Sequence, residues 1–148
     1  MSTIDLHIHS NYSNDADFSP TRLVALCLDA GLTHAAIADH NSVKGIEEAL
    51  SAAEGTGLTI IPAIEMDCEL KGIILHLLGY GMDFSDPIFG EIEADLHQQE
   101  KANSAKLMRL VREIGIDFED NVVADMAYDG VVTGEMIAEA ALLYDSQE

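Results

Sequence analysis

The sequence predicts an α/β fold: parallel strands joined by helical crossovers, followed by an all-helical subdomain. Three observations predict it. Short apolar strand patterns alternate with helical patterns up to about residue 64. Side chains able to ligate a metal fall at or just past the C-terminal ends of those strands, the edge where active sites of α/β barrels and open sheets collect. From Asp86 onward the pattern is helical, with no strand to continue the sheet.

The first strand is Asp5-Leu6-His7-Ile8-His9-Ser10. Side chains alternate across a strand, so His7 and His9 share a face with Asp5 behind them, while Leu6 and Ile8 face a core. Two imidazoles so placed on a rigid strand are a ready pair of metal ligands, and the stretch reads as the first strand of a metal-dependent hydrolase barrel. A polar loop follows from Asn11 to Asp17. Ser19 then caps a helix with Pro20 at its first position, where the missing N–H costs nothing. Leu23, Leu26, Cys27 and Ala30 give that helix its apolar face, and Gly31 ends it.

Thr33 to Ala38 forms a second strand that delivers Asp39-His40-Asn41. A helix from Val43 to Glu54 carries Ile46, Leu50 and Ala53 on one face and is closed by Gly55 and Gly57. Leu58 to Ile64 forms a third strand, delivering Glu65 and Asp67, and Pro62 within it predicts a bend beside the site. Cys68–Leu70 and Ile73–Tyr80 flank Lys71-Gly72 as a hairpin, with His76 on the second arm. The tail comprises one long helix from Asp86 to Ile114 with a stripe of Ile88, Ile92, Leu96, Leu107, Leu110 and Val111, stopped by Gly115. A short helix over Glu119–Met126 and a last one over Glu135–Leu143, capped by Thr133, complete it. The expected division is residues 1–84 for the stranded half and 85–148 for the helical subdomain.

The 148 residues carry 27 acidic and 7 basic side chains, a net charge of -20. That balance argues against passive binding to nucleic acid or an anionic membrane, which needs clustered Lys and Arg. Bound divalent cations would invert the sign locally, so a phosphorylated substrate remains compatible. Cys27 reads as a small buried hydrophobe, and Cys68 as a remote ligand candidate better explained structurally. With no disulfide framework, no signal pattern before Asp5 and no apolar run of membrane-spanning length, the reducing cytoplasm is the expected location.

Imidazole mixed with carboxylate selects Zn, Mn or Fe over an all-oxygen Mg or Ca cage. The successive stretches Asp5-Leu6-His7-Ile8-His9-Ser10, Ala38-Asp39-His40-Asn41, Pro62-Ala63-Ile64-Glu65 and His76-Leu77-Leu78-Gly79-Tyr80 resemble, in order, the N-terminal motifs of the PHP (polymerase and histidinol phosphatase) family. The resemblance spans about residues 4 to 83. It implies a distorted (β/α)7 barrel, a centre of up to three metal ions, and hydrolysis of phosphoesters. Carried over by motif, His7 and His9 hold the first ion, Glu65 bridges the first and second, and His76 binds the second. Asp15 and His40 bind the third. Glu65 and His9 are the expected catalytic residues, and Asp5 and Asp39 are expected to orient the ligands from behind. The helical tail resembles the subdomain that some members of the family insert at this point.

The sequence departs from the family in two places. Its loop reads Ser13-Asn14-Asp15-Ala16-Asp17 where the family shows Ser-Asp-Gly, which makes Asp15 the best-aligned carboxylate and Asp17 the fallback. The later motifs, a further His and an Asp-x-His pair, have no counterpart: His34 lies on the wrong strand edge and His97 on the long helix. The chain thus reads as an incomplete barrel that a C-terminal half or an oligomeric partner would complete. The expected substrate is a small phosphorylated molecule or the end of a nucleotide or oligonucleotide. Arg22, Lys44 and Lys71 are the few basic residues near the rim. Two other readings stand beside the phosphoesterase: an inactive metal-binding fragment or interaction module, and an amidohydrolase-like metallohydrolase. The latter calls for a bridging Lys at a strand end, and Lys71 in the turn is the sole approximation.

Overall fold

A computed structural model of the chain describes residues 3–127 and 130–145. Strands β1 (Ile4–Ile8), β2 (His34–Ile37) and β3 (Thr59–Ile60) form a parallel sheet in that order. Helix α1 (Pro20–Asp29) connects β1 to β2, and α2 (Gly45–Ala53) connects β2 to β3. Ser19 Oγ accepts the Arg22 N–H at 3.3 Å as the cap of α1. Gly31 takes the positive φ of 74° that ends it, as the sequence predicts.

β2 is the central strand, and its Ala-Ala-Ile-Ala run is buried on both faces. Ala35 and Ile37 pack with Leu23, Val24 and Cys27 of α1 and Ala49 and Ala53 of α2, together with Leu58 and Ile60. Ala36 and Ala38 face the other way, toward Ala63, Ile61 and Leu78. Burial on two faces is what a parallel strand flanked by helices requires. Each fully buried Leu, Val or Ile here contributes about 1.5–3 kcal/mol against chain entropy. Of the two β1 residues expected to face a core, Ile8 packs against the first cluster, whereas Leu6 stays 37% exposed.

The third strand departs from expectation. In place of one run from Leu58 to Ile64, β3 stops at Ile60 and β4 (Ala63–Leu70) begins after Pro62, which has no N–H to continue a ladder. β4 pairs antiparallel with β5 (Ile73–Tyr80) along its whole length, so the hairpin begins five residues earlier than the sequence suggests. Lys71 and Gly72, with φ of 54° and 80°, make the two-residue turn in the left-handed region that a tight hairpin demands. A parallel bridge between His40 and Glu65 ties the end of β2 to β4. The Tyr80 hydroxyl donates to the Leu6 carbonyl of β1 at 2.9 Å. Ile73, Ile74, Leu75 and Leu77 of β5 remain exposed.

Two compact units divide the chain, residues 1–93 and 94–148. Helix α3 (Pro87–Glu113) contains the division, and α4 (Asp120–Met126) and α5 (Gly134–Asp145) follow it. In the second unit Phe118, Val123, Ile137 and Ala140 form a core with Leu107, Met108 and Val111 packed against it. The predicted stripe of α3 is therefore half right, since Leu107 and Val111 join this core while Ile88 and Leu110 are exposed. No helix among the described residues is long and apolar enough to cross a membrane.

Candidate metal centre

Glu65 sits at the middle of the candidate site because β4 carries it past the end of β2, where it is 3% exposed. Its two carboxylate oxygens point at different partners. Oε2 lies 2.7 Å from His7 Nε2 and 2.9 Å from His9 Nε2, while Oε1 lies 2.8 Å from His76 Nδ1. His7 Nε2 and His9 Nε2 are themselves 2.9 Å apart. Asp15 reaches His9 Nδ1 at 2.9 Å, and His40 Nε2 stands 3.7 Å from both Asp15 Oδ2 and Glu65 Oε2.

Donor atoms sharing an ion lie roughly 3 Å apart when each stands about 2.1 Å from it. The His7–His9–Glu65 spacing fits that requirement, and so does the mixed nitrogen and oxygen chemistry of the set. Among the described residues three groups could hold an ion: His7, His9 and Glu65; His9, Asp15 and His40; and His40, Asp67 and His76. Glu65, with one oxygen in the first group and the other against His76, is placed to bridge.

Burial by itself raises the Glu65 carboxyl. The hydrogen bond from His7, the charges of His40 and His7 and the hydrogen bond from His76 outweigh it, and the net shift is downward. The carboxylate form is thus the one the cluster favours, the form a metal ligand needs.

The loop after β1 is held from beneath by Asp39, which is 2% exposed. Its Oδ1 accepts the Ser10 N–H at 2.6 Å and the Ser13 hydroxyl at 3.3 Å, and its Oδ2 accepts the Ser10 hydroxyl at 2.7 Å. Ser13 Oγ in turn accepts the His40 N–H at 2.7 Å. Asp39 therefore acts on the loop and the backbone of His40, with no contact to an imidazole. Gly45 makes room for it: a Cβ there would stand 2.9 Å from Asp39 Oδ2 and 3.2 Å from Ser10 Oγ.

Six sequence-predicted ligands, His7, His9, Asp15, His40, Glu65 and His76, converge in this cluster. Asp5 is exposed, and its carboxylate accepts the His7 backbone N–H at 3.3 Å rather than touching a ring. Asp17 and Cys68 belong to none of the three groups. His34 lies beside Thr33 Oγ1 at the far end of β2, and His97 lies on α3 near Glu100, both outside the groups. Lys44 pairs with Glu93 at 3.0 Å. Asp67 is the residue that sequence reasoning left out of the site. The sequence offered one signal, its place two residues beyond Glu65 on the same strand face; its cross-strand partner His76 came only with the pairing of β4 and β5.

A parallel α/β unit presenting an imidazole–carboxylate cluster at its C-terminal strand ends is the architecture of a barrel-type metalloprotein. The PHP domain model matches residues 5–141, and the chain belongs to the PHP domain family. It is 32% identical over 126 residues to a 5'-3' exoribonuclease of Haemophilus influenzae, covering 85% of this chain and 43% of the relative. It is 28% identical over 111 residues to a phosphoribosyl 1,2-cyclic phosphate 1,2-diphosphodiesterase of Eggerthella lenta, covering 72% of this chain and 42% of that one. The chain therefore spans less than half the length of these relatives. Among solved structures, an amidohydrolase from Chromobacterium violaceum superposes with a TM-score of 0.80 at 19% identity, over 99% of this chain and 51% of that one. A protein from Bifidobacterium adolescentis described as a metal-dependent phosphoesterase gives 0.73 at 24% identity, again over 99% and 51%. At these identities the two structures speak for the fold alone.

Proposed function

We propose that the chain carries the metal-binding half of a phosphoesterase that hydrolyses a small phosphorylated molecule or the end of a nucleotide or oligonucleotide. The observation that carries the reading is the gathering of five ligand-type side chains around a buried Glu65 whose two oxygens face different partners. That the relatives are named for cleavage of RNA and of a cyclic phosphate supports the class of bond. Mn, Zn or Fe suits the donor set. In this reading residues 1–84 bear the ligands and residues 85–148 are a helical subdomain in a reducing cytoplasm.

Bound divalent ions would supply Lewis acidity and an acidified water. Within the chain, His7, His9 and Glu65 would hold one ion, Glu65 and His76 a second, and Asp15 and His40 a third. In this reading Glu65 and His9 fix the geometry at which the phosphoester is met. Asp39 holds the loop that carries Asp15 and presents Ser13 to His40.

A second reading, a chain that binds ions without turnover, is favoured by the exposed apolar residues of β5, Ile73, Ile74, Leu75 and Leu77. The test is elemental analysis of protein purified without chelator, followed by hydrolysis of a 5'-phosphorylated RNA oligonucleotide and of bis-p-nitrophenyl phosphate with added Mn. Two to three ions per chain with chelator-sensitive hydrolysis supports the phosphoesterase. Two to three ions with no hydrolysis supports the second reading, and less than one ion per chain overturns both.

A further inference from the structure

Asp67 is bound on three sides. Its Oδ1 lies 3.0 Å from His40 Nδ1, its Oδ2 accepts Asn41 Nδ2–H at 2.8 Å, and its own N–H donates to Asn41 Oδ1 at 2.9 Å. Asn41 is held in the left-handed region, at φ 55°, a conformation that Asn tolerates better than most residues and that is expected only where surrounding contacts impose it. Its N–H donates to the Glu65 carbonyl at 2.7 Å, and Glu65 N–H returns a bond to the Asp39 carbonyl at 3.1 Å. The residue following His40 is thus clamped reciprocally to the residue two positions beyond Glu65.

We propose that Asp67 is a positioning residue for His40: it accepts the Nδ1–H, fixes the ring, and leaves the Nε2 lone pair toward Asp15 and Glu65. The proposal rests on the metal-centre reading for its purpose, not for its geometry. A neutral imidazole has one lone pair and one N–H. His40 Nε2 faces Asp15 and Glu65, and His76 Nδ1 faces Glu65. The nitrogens that face Asp67 are the opposite ones, His40 Nδ1 at 3.0 Å and His76 Nε2 at 3.6 Å. For Asp67 to share an ion with them, both rings would have to lose their last proton and bridge two ions each. A carboxylate accepting the outward N–H needs no such step, and it makes the inward nitrogen a better ligand.

Two-bond proton–nitrogen NMR of the 15N-labelled full chain, metal-free at about pH 8.5 and so above the imidazole range, reads the tautomer directly. Wild type should show His40 protonated at Nδ1, against the usual preference of free imidazole for the Nε2–H form, and Asp67→Ala should return it to Nε2–H. Asn41→Gly keeps the positive φ but drops the clamp, and should give a mixture. Titration with Zn should then show roughly 10–100-fold weaker binding in Asp67→Ala at unchanged stoichiometry. A wild-type His40 protonated at Nε2, or a tautomer indifferent to Asp67→Ala, overturns the proposal. So does the loss of one whole ion per chain, which would make Asp67 a ligand. If wild type takes up no Zn while His40 shows the expected tautomer, the metal-centre reading fails and the positioning role stands.

Discussion

Replacing Asp39 by Ala tests whether the loop after β1 is built on that carboxylate. Three donors, the Ser10 N–H, the Ser10 hydroxyl and the Ser13 hydroxyl, end on it at 2.6, 2.7 and 3.3 Å. Hydrogen bonds to a charged acceptor contribute about 1.5–3 kcal/mol each, and a buried donor left without a partner costs about 1–3 kcal/mol. The hydroxyls can turn to other acceptors. The Ser10 N–H cannot, because Ser10 is 0% exposed. A loss of about 3–5 kcal/mol follows for Asp39→Ala, a large part of a domain's usual stability. Asp39→Asn keeps the shape and an acceptor for the Ser10 N–H, and its amide can donate to Ser10 Oγ, so it should lose only about 1 kcal/mol. Urea unfolding followed on amide signals of residues 1–93 measures both, since that compact unit holds Asp39 and its partners. The reasoning is refuted if Ala loses less than about 1 kcal/mol, or if Asn loses as much as Ala. Exchange of the Ser10 amide with deuterium should accelerate in the Ala variant first.

Two further tests concern the cluster. His9→Ala or Glu65→Ala should abolish metal-dependent hydrolysis with little change in the circular dichroism spectrum, while His34→Ala and His97→Ala should leave turnover and metal content as in wild type; full activity in the first two would remove the site assignment. The second test is acid unfolding of the metal-free protein. Glu65 has a lowered pKa in the fold, so the folded state binds fewer protons than the unfolded one. Its contribution is fully present above the ordinary Glu value of 4.5 and is lost as pH falls through the folded-state value. Glu65→Gln should therefore show a shallower acid-induced loss of stability than wild type, and parallel pH curves would show that the carboxylate is not coupled to its histidines.

Local chemistry alone determined a good part of this molecule. The cap at Ser19, the stop at Gly31, the Lys71-Gly72 turn and the alternation that sets His7 and His9 on one face each depend on a few neighbouring residues. The structure returns all of them. The candidate ligand residues were legible because strand ends can be read from apolar runs, and the resemblance to the PHP motifs assigned roles among the few residues just past them. What the sequence could not decide was which strands meet. The break at Pro62 converts one expected strand into two, and only the full-length pairing of β4 with β5 sets Asp67 directly across from His76. Asp39 belongs to the same class: its place at the end of β2 suggested a residue that orients the ligands from behind, and only the fold shows that it does so through the loop, holding Ser10 and Ser13, with Ser13 in turn on the His40 N–H. Contacts between residues 26 to 58 positions apart have no local signature, because they exist only once the sheet and its crossovers have formed.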